Sequence, residues 1–323
     1  MISRHDVVGG GGWPTTTRAV VGLGTFPFTG QLSPVPADQA AVILDEFVAA
    51  GGQYVETAPS YHNPAIDLGR LLRRHRRDEL VLATKCLAGD VSVAQQLRGE
   101  LRRLGVDYLD VVQVRVRQSD PVDAVTDALA ALVRAQQAGC VRRIGLSRVT
   151  ASVLAELAGG PRIDMVQNRL SVIHRAEHSD ALADSCHRHG ALFNPCQVLE
   201  RGQLCDVSVP PDVRAAADIR RRKSEYREPV HGVIRRWVTG TLVPLAHDHG
   251  LSTEQLSIGW AASRPHVRTV VVGASSPEQV RHSMGAPRTL RPELLVMIDS
   301  AYRALAAYVR TEFGVPLDRF RGG

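Results

Sequence analysis

Short apolar runs alternate along this chain with longer segments of helical periodicity. Most of the short runs are continuously apolar, which is typical of parallel strands covered on both faces. Eight runs are predicted as strands: residues 20–24, 54–56, 80–84, 109–114, 141–146, 165–167, 191–193 and 269–272.

Helical patterns fill the intervals between the predicted strands. The predicted helices are residues 37–50, 65–74, 92–104, 121–138, 150–158, 177–189, 230–249 with 252–263, and 277–284. Eight strand-then-helix units in 323 residues predict an α/β fold of the closed (β/α)8 (TIM) barrel type, with residues 1–323 forming one domain.

Two segments depart from this alternation. Residues 1–17 carry a run of four glycines and are predicted to be a flexible leader. Residues 200–228, after the seventh strand, form a polar, arginine-rich loop that is longer than most connections in compact domains.

Composition narrows the class of protein. No apolar run approaches the roughly 18 residues that a membrane span needs, and the N-terminus lacks the apolar segment of a signal peptide. We therefore expect a cytoplasmic protein without a membrane partner. The five cysteines contain no C-x-x-C pair, which predicts reduced thiols and no structural zinc site. The paired histidines are at i,i+2 spacing, which does not place them on one helix face, so no metal site is predicted.

The net charge of +6 does not by itself identify a partner. Arginine runs at residues 70–77 and 220–223 contain few aromatic residues and match no nucleic-acid-binding motif, so we expect solvated surfaces and no nucleic acid. Only Lys85 and Lys223 are lysines among the 39 basic residues, which makes a lysine at a strand end conspicuous.

Candidate chemistry gathers where the predicted strands end. Glu56 and Tyr61 follow the second strand, Lys85 the third and Arg115 the fourth, and barrel enzymes carry their active sites at these carboxyl ends. Each residue alone has an ordinary structural explanation. Together they predict an acid–base site, because a buried ammonium lowers the pKa of a neighbouring phenol and a carboxylate keeps the ammonium charged.

Several ordered segments resemble the aldo-keto reductase family, from about Val20 to about Met284. They include "VETAPSYHNPAIDLGRLLR", "LATKC", "LGVDYLDVVQVRVRQ" and "LSTEQLSIGWAASRPHVRTVVVGASSPEQVRHSM". The resemblance implies a (β/α)8 barrel that binds NADPH or NADH and transfers hydride to a carbonyl group of a small molecule.

The resemblance assigns the catalytic positions one by one. Tyr61 and Lys85 occupy the positions of the family's tyrosine and lysine, whereas Glu56 replaces an aspartate and Arg115 replaces a histidine. Arginine stays protonated, so Arg115 is expected to bind a substrate oxyanion or carboxylate and to lower the pKa of Tyr61 toward the phenolate. The alternative is an ion pair between Glu56 and Arg115. His62, where the family usually has glycine, is a further substrate-binding candidate.

Cofactor positions are retained only in part. Ser147 and Gln167 match the family's nicotinamide-binding residues, Arg148 stands where asparagine is expected, and Phe193 is a candidate for the aromatic stacking position. At the phosphate end the resemblance assigns cofactor binding to Gly273, Ser275, Ser276, Gln279 and Ser283. Ser275 replaces a basic residue and Ser283 an asparagine, so NADP is only slightly preferred over NAD, and loss of cofactor binding is an alternative. Arg281 could substitute as the cation, or the arginines at residues 220–222 of the long loop could fold over the pyrophosphate.

Three functions follow from these residues. The first is an NAD(P)H-dependent oxidoreductase acting on the carbonyl/alcohol pair of an anionic small molecule. The second is a redox-neutral dehydratase, lyase, isomerase or cyclase with Tyr61 as base. The third is a non-catalytic, nucleotide-binding regulatory protein. Both a monomer and a homo-oligomer are compatible with the sequence.

Overall fold

A closed barrel of parallel strands organises the chain. The computed structural model describes residues 20–25, 35–61, 66–89, 91–175, 177–205 and 229–317. Within these ranges each strand pairs with the next in sequence, and the eighth returns to the first. The strands are β1 Val20–Gly24, β2 Tyr54–Glu56, β3 Val81–Leu87, β4 Leu109–Arg115, β5 Val141–Ser147, β6 Met165–Arg169, β7 Leu192–Cys196 and β8 Thr269–Gly273.

Helices follow the strands along the chain and pack against the barrel. They are α1 Ala37–Ala49, α2 Leu68–Leu72, α3 Val93–Leu104, α4 Val122–Gln137, α5 Ala151–Glu156, α6 Glu177–Arg188, α7 Val230–Trp237, α8 Val243–His247, α9 Thr253–Ala262, α10 Pro277–Met284 and α11 Pro292–Phe313. The leader predicted at residues 1–17 lies outside the described residues. Of the long loop predicted at residues 200–228, only residues 200–205 are described.

The predicted (β/α)8 architecture is confirmed, and all eight predicted strands are present. Several strands run further toward their carboxyl ends than the apolar pattern indicates. β3 extends to Leu87, β4 to Arg115, β6 to Arg169 and β7 to Cys196. These extensions carry polar residues because the barrel mouth, unlike its floor, accommodates polar side chains that face inward.

The helix predicted over residues 230–249 is interrupted. α7 ends at Trp237, a wider π-type turn covers Val238–Leu242, and α8 continues to His247. Pro244 lies at the start of α8, where its missing N–H costs no hydrogen bond. The local change in helix type therefore coincides with a residue that cannot donate within a continuous α-helix.

α11 is the element that the sequence pattern did not predict. Its buried side chains, Leu294, Ile298, Leu305 and Val309, recur at helical spacing and pack against the outside of the barrel. A helix was already assigned after each of the eight strands, so this extra helix fell outside the alternation. None of the described helices, α11 included, is long and apolar enough to cross a membrane.

Strand side chains alternate between two cores. One core lies between the strands and the helices and includes Val55, Leu82, Val112, Leu146 and Val166. A separate cluster fills the inside of the barrel and includes Tyr54, Ala83, Val111, Met165 and Val271. Because successive side chains point to opposite faces, the residues two or four positions beyond these interior residues also face the barrel axis.

Gly22 makes room for the interior cluster at the middle of β1. A Cβ atom at this position would lie 2.8 Å from Cδ1 of Tyr54 and 2.9 Å from Cγ2 of Thr269. Real Cβ atoms do not approach other carbons so closely, so the Tyr54 ring occupies space that a side chain on β1 would need.

Candidate active site

A buried ion pair lies inside the barrel mouth, formed by the last residue of β2 and a residue near the end of β3. Glu56 is two residues beyond Tyr54 and Lys85 two beyond Ala83, so both face inward. The Lys85 ammonium is in direct contact with the Glu56 carboxylate, and the two side chains are only 7% and 6% exposed. Glu56, which is one methylene longer than the aspartate it replaces, thus places its carboxylate against Lys85.

Gly24 borders the Glu56 carboxylate from β1. A Cβ atom at Gly24 would lie 3.4 Å from Oε2 of Glu56, which leaves space for the longer acid. The structure pairs Glu56 with Lys85 and not with Arg115. The alternative of a Glu56–Arg115 ion pair is therefore wrong.

Tyr61 is brought to the same place by the turn that follows β2. Its backbone N–H donates to the carbonyl oxygen of Ala58 at 2.9 Å, which closes the turn. The Lys85 ammonium nitrogen lies 5.3 Å from the centre of the Tyr61 ring. The structure therefore brings Tyr61, Lys85 and Glu56 together at the barrel mouth.

The direction of the Tyr61 pKa differs from the prediction. Burial raises the pKa of the Tyr61 phenol, and the guanidinium groups of Arg115, Arg148 and Arg201 lower it by less. Arg115 lowers the pKa of Tyr61 as predicted, but the net shift is upward, because desolvation of the charged form outweighs the attraction of the cations. Tyr61 is therefore a protonated phenol at neutral pH and can act as a proton donor.

Lys85 titrates near neutrality. Burial lowers the pKa of its ammonium group to about 7, and the guanidinium groups of Arg115 and Arg148 act in the same direction. The Glu56 carboxylate in contact with Lys85 favours the charged form. The pair can accordingly hold or release a proton close to pH 7, next to the phenol that would use it.

Arg115 and Arg148 lie on neighbouring strand ends. Arg115 is the last residue of β4 and pairs in register with Ser147, the last residue of β5, which Arg148 follows directly. The side chains of both arginines lack hydrogen-bond and ion-pair partners among the described residues. Burial and the proximity of Arg115 lower the pKa of Arg148, which indicates two guanidinium groups close together.

Ser147 and Gln167 offer polar groups suited to a nicotinamide ring. They pair in register between β5 and β6, and neither is more than 4% exposed. Nε2 of Gln167 is buried without a hydrogen-bond partner in the described part of the chain. An unpaired buried donor costs about 1–3 kcal/mol, so a bound carboxamide oxygen would satisfy it. These residues fit the nicotinamide end of the implied cofactor.

Phe193 is not brought to this mouth. It is fully buried and packs in the outer core, while its neighbour Asn194 pairs in register with Gln167. Because strand neighbours point to opposite faces, Phe193 faces the helices and Asn194 the barrel interior. Ser283, assigned to adenine binding, is also buried and lines a small gap beside Phe47.

The segment assigned to the cofactor phosphates caps α10. The Ser276 hydroxyl accepts from the Gln279 N–H at 3.3 Å, and Oε1 of Gln279 accepts from the Ser275 N–H at 2.8 Å. Gly273, at the end of β8, is exposed beside this cap. Pro277 has no N–H, and the N–H groups of Ser275 and Gln279 are bonded within the cap, so an anion would bind here by displacing these side-chain hydrogen bonds.

The substitute cation for a 2′-phosphate is already engaged. Arg281 forms ion pairs with Glu46 at 2.7 Å and with Glu278 at 3.1 Å. Two carboxylates beside one guanidinium make this surface unfavourable for the 2′-phosphate of NADP. The described residues thus fit the nicotinamide end of a cofactor, and Arg281 is already ion-paired where a 2′-phosphate would need it.

Two further residues near Tyr61, Cys196 and Arg201, were not predicted from the sequence. Cys196 ends β7 and packs against the interior cluster, and the extension of β7 beyond its apolar run is the signal that would place it there. Glu200 is buried, contacts Arg169 and Ser171, and anchors a turn in which Glu200 and Arg201 both have left-handed backbone angles. Nothing in the spacing of the sequence indicates this turn.

A polar clamp on the outside of the barrel also escaped the sequence analysis. The buried carboxylate of Glu100 on α3 accepts from the Thr84 hydroxyl at 2.8 Å and from Nε of Arg103 at 2.7 Å. Arg103 also donates to the Thr57 hydroxyl at 3.4 Å. Thr57 follows Glu56 and Thr84 precedes Lys85, so the clamp ties together the backbones that carry the ion pair.

His62 lies outside the described residues, so its predicted role in substrate binding stays a prediction. Within the described ranges, no group of three or more His, Cys, Asp or Glu side chains comes together in a way that could hold a metal ion. All five cysteines are free thiols.

Known proteins resemble this chain over most of its length. The Aldo/keto reductase family matches residues 20–303. The NADH-specific methylglyoxal reductase of Escherichia coli (strain K12) is 24% identical over 301 residues, covering 84% of this chain and 90% of the relative.

Solved structures share the fold. A glycerol dehydrogenase from Gluconobacter oxydans superposes with a TM-score of 0.73 at 20% identity, covering 93% of this chain and 94% of the other. An aldo/keto reductase from Klebsiella pneumoniae, solved with NADP and acetate, gives a TM-score of 0.70 at 20% identity and covers 93% and 96%.

Proposed function

Because the chain belongs to the aldo/keto reductase family and is therefore an oxidoreductase, we propose that it interconverts a carbonyl compound and its alcohol with Tyr61 as the proton-transferring residue. The observation that supports this role is one arrangement at the barrel mouth. Glu56 contacts Lys85, and the Lys85 nitrogen lies 5.3 Å from the centre of the Tyr61 ring. Aldo/keto reductases use a nicotinamide cofactor, which supplies or accepts the hydride when bound.

In the reducing direction Tyr61 donates its phenolic proton to the carbonyl oxygen as negative charge develops there. The raised pKa of Tyr61 keeps that proton in place until the oxygen becomes basic enough to take it. The Lys85 ammonium stabilises the phenolate that remains, and Glu56 keeps the ammonium charged and oriented. A positioned proton donor of this kind contributes roughly 10²- to 10⁴-fold in rate.

Arg115 binds the substrate and does not take part in proton transfer. Its guanidinium stays charged at any relevant pH, so it cannot replace the acid–base histidine expected at this position. It can hold the substrate by hydrogen bonds to a carboxylate or to the developing oxyanion. We therefore propose an anionic small-molecule substrate that is oriented by Arg115.

For the cofactor, Ser147 and Gln167 would hold the nicotinamide carboxamide. The start of α10 would hold the diphosphate by exchanging the side-chain hydrogen bonds of its cap for bonds to the ligand. The sequence slightly favours NADP, whereas the ion pairs of Arg281 with Glu46 and Glu278 favour NADH in our proposal. The resemblance to an NADH-specific methylglyoxal reductase agrees with this choice. Fluorescence titration with NADH and NADPH measures it, and tighter binding of NADPH would contradict it.

A redox-neutral reaction with Tyr61 as base is less well supported. Such a reaction needs a phenolate near neutral pH, and the pKa of Tyr61 is raised instead. A purely regulatory protein does not account for the protonated Tyr61 beside a lysine that titrates near pH 7.

The decisive experiment follows nicotinamide absorbance with a panel of small aldehydes and ketones. We expect oxidation of reduced cofactor with one turnover per carbonyl, and loss of at least about 100-fold in Tyr61→Phe without loss of folding. Product formation without cofactor oxidation would contradict the proposal and favour the redox-neutral reaction. Arg98→Gln, which changes an exposed arginine on the outer helix α3, serves as the control.

A further inference from the structure

Two arginines at the barrel mouth carry charge that no acidic group of the described chain compensates. Glu56 is committed to Lys85, so it does not neutralise Arg115. Neither Arg115 nor Arg148 has an ion-pair partner among the described residues, although many other arginines of this chain do, such as Arg74 with Asp45. Arg148 is exposed and Arg115 half-buried, so water screens part of the repulsion between the two charges, and an anion bound between them would offset the rest.

The backbone holds Arg148 beside Arg115 at some cost. Arg148 has a φ of 61°, a left-handed conformation that costs a residue other than glycine roughly 1–3 kcal/mol. Its N–H donates to the carbonyl oxygen of Gln167 at 3.1 Å, which fixes it to the end of β6. Such strain is concentrated at ligand-binding positions, since the surrounding structure must stabilise it.

We propose that the guanidinium groups of Arg115 and Arg148 together bind an oxyanion group of the substrate, a carboxylate or a phosphate. Two guanidinium forks can surround the oxygens of one such group with parallel hydrogen bonds. This inference rests on the proposed function and moves Arg148 from the cofactor site, where the resemblance places it, to the substrate site.

The position of the two arginines limits the length of the substrate. Arg115 pairs in register with Leu87, two residues beyond Lys85 on β3, and with Ser147, which Arg148 follows. The Lys85 nitrogen lies 5.3 Å from the centre of the Tyr61 ring, so the oxyanion lies near the phenol that protonates the carbonyl. The substrate class is therefore a short carbonyl compound with its acidic group within a few bonds of the reacting carbon, such as a 2-oxo acid or a phosphorylated aldehyde.

Matched pairs of substrates test this site. Pyruvate is compared with methyl pyruvate, and glyceraldehyde 3-phosphate with glyceraldehyde, because each pair differs mainly in the anionic group. We expect a lower KM for the anion of at least one pair. Arg115→Gln and Arg148→Gln should each raise that KM by roughly 10- to 100-fold, the range of one charge-assisted hydrogen-bonding group, and change the neutral partner by much less. The pair that responds distinguishes a carboxylate from a phosphate.

Two controls separate this inference from the neighbouring explanations. Arg98→Gln removes one exposed positive charge from α3 and should leave both values of KM unchanged. Arg148→Lys keeps the charge but loses the fork, so it should restore part of the discrimination that Arg148→Gln loses. Dissociation constants for NADH and NADPH are measured for each variant.

Three outcomes would overturn the site. One is equal KM values for anionic and neutral partners of both pairs in the unsubstituted enzyme. Another is an Arg148→Gln variant that weakens cofactor binding while preserving the preference for the anion, which would return Arg148 to the cofactor. The third concerns oxalate, an unreactive anion whose binding calorimetry does not need turnover. Oxalate binding that is equally strong in the two Gln variants contradicts the site, whereas weakened binding supports it even if no carbonyl compound is reduced.

Discussion

The carboxylate of Glu56 touches the ammonium group of Lys85 inside the barrel mouth, where neither side chain is more than 7% exposed. Burial favours the neutral forms of both groups, and their contact favours the charged forms. Burial, followed by the guanidinium groups of Arg115 and Arg148, lowers the pKa of Lys85 to about 7, and the contact with Glu56 favours the charged ammonium. Glu56 therefore controls the charge of Lys85 and, through it, the ease with which Tyr61 releases a proton.

Replacing Glu56 tests this control. In Glu56→Gln the buried ammonium loses its counter-ion, so the pKa of Lys85 falls further and less of it is charged at neutral pH. We expect kcat/KM for carbonyl reduction near pH 7 to fall by about 10- to 100-fold. Glu56→Asp, which keeps the charge on a shorter side chain, should retain more activity than Glu56→Gln. Equal activities in the two variants would contradict the role of the charge.

The pH dependence of reduction follows from Lys85. The charged ammonium supports proton donation by Tyr61, so activity is present below the Lys85 pKa of about 7 and declines as the pH rises through it. In Lys85→Arg the cation persists at all relevant pH values, and the decline should move to higher pH or disappear. A pH profile of kcat/KM for both proteins measures this. An unchanged decline in the variant would assign it to another group.

Stability should also depend on Lys85. Its pKa is about 7 in the folded protein, against roughly 10.4 in an unfolded chain. Between these pH values the unfolded chain binds more protons than the folded protein, so Lys85 makes the free energy of unfolding rise with pH. Below about pH 7 both states are protonated, and the full destabilisation caused by burying the charged ammonium is present. Urea unfolding of the wild type and the double variant Glu56→Gln/Lys85→Met at several pH values above 7 isolates the effect, because the double variant does not leave Glu56 buried without a counter-ion. A slope that is equal in the two proteins would contradict it.

The residues of the ion pair could be predicted from sequence because they depend only on strand position. Glu56 and Lys85 end apolar runs, and the carboxyl ends of parallel strands converge at one edge of a barrel. Tyr61 follows from the same reasoning, since it lies five residues after Glu56 in a short loop. These predictions needed no knowledge of side-chain depth.

The predictions that were wrong depend on how deeply a side chain is buried and on strand register. The pKa of Tyr61 is raised because burial exceeds the effect of three arginines, and a sequence gives no measure of burial at that scale. The side on which Phe193 lies depends on a single residue of register, which reverses every side chain of a strand. Arg201 reaches the site through a turn with left-handed backbone angles that the sequence does not signal.

The clamp around Glu100 should position the ion pair from outside the barrel. Glu100→Gln weakens the hydrogen bonds of this side chain to Thr84 and Arg103. Thr84 precedes Lys85, and Arg103 donates to Thr57, which follows Glu56. We expect a loss of about 1–3 kcal/mol in the free energy of unfolding. We also expect a fall in kcat with little change in KM, because the acid–base groups shift while the substrate-binding arginines stay. Thr126→Val, which removes an exposed hydroxyl hydrogen bond on α4, is the control. A variant that loses stability but keeps kcat and its pH profile would make the clamp purely structural.

Gly22 offers a test of packing inside the barrel that does not involve the active site. In Gly22→Ala the added methyl group would lie 2.8 Å from the Tyr54 ring and 2.9 Å from Thr269, so the interior cluster must move. We expect a loss of about 1–3 kcal/mol in the free energy of unfolding, the usual cost of overpacking.

Gly99→Ala is the matched control, since a methyl group there meets nothing within 4 Å on helix α3. Alanine favours a helix over glycine by up to about 1 kcal/mol, so this variant should be as stable as the wild type or more stable. Denaturant unfolding of both variants measures the difference. Equal stability of Gly22→Ala and Gly99→Ala would contradict the close packing of the Tyr54 ring against Gly22.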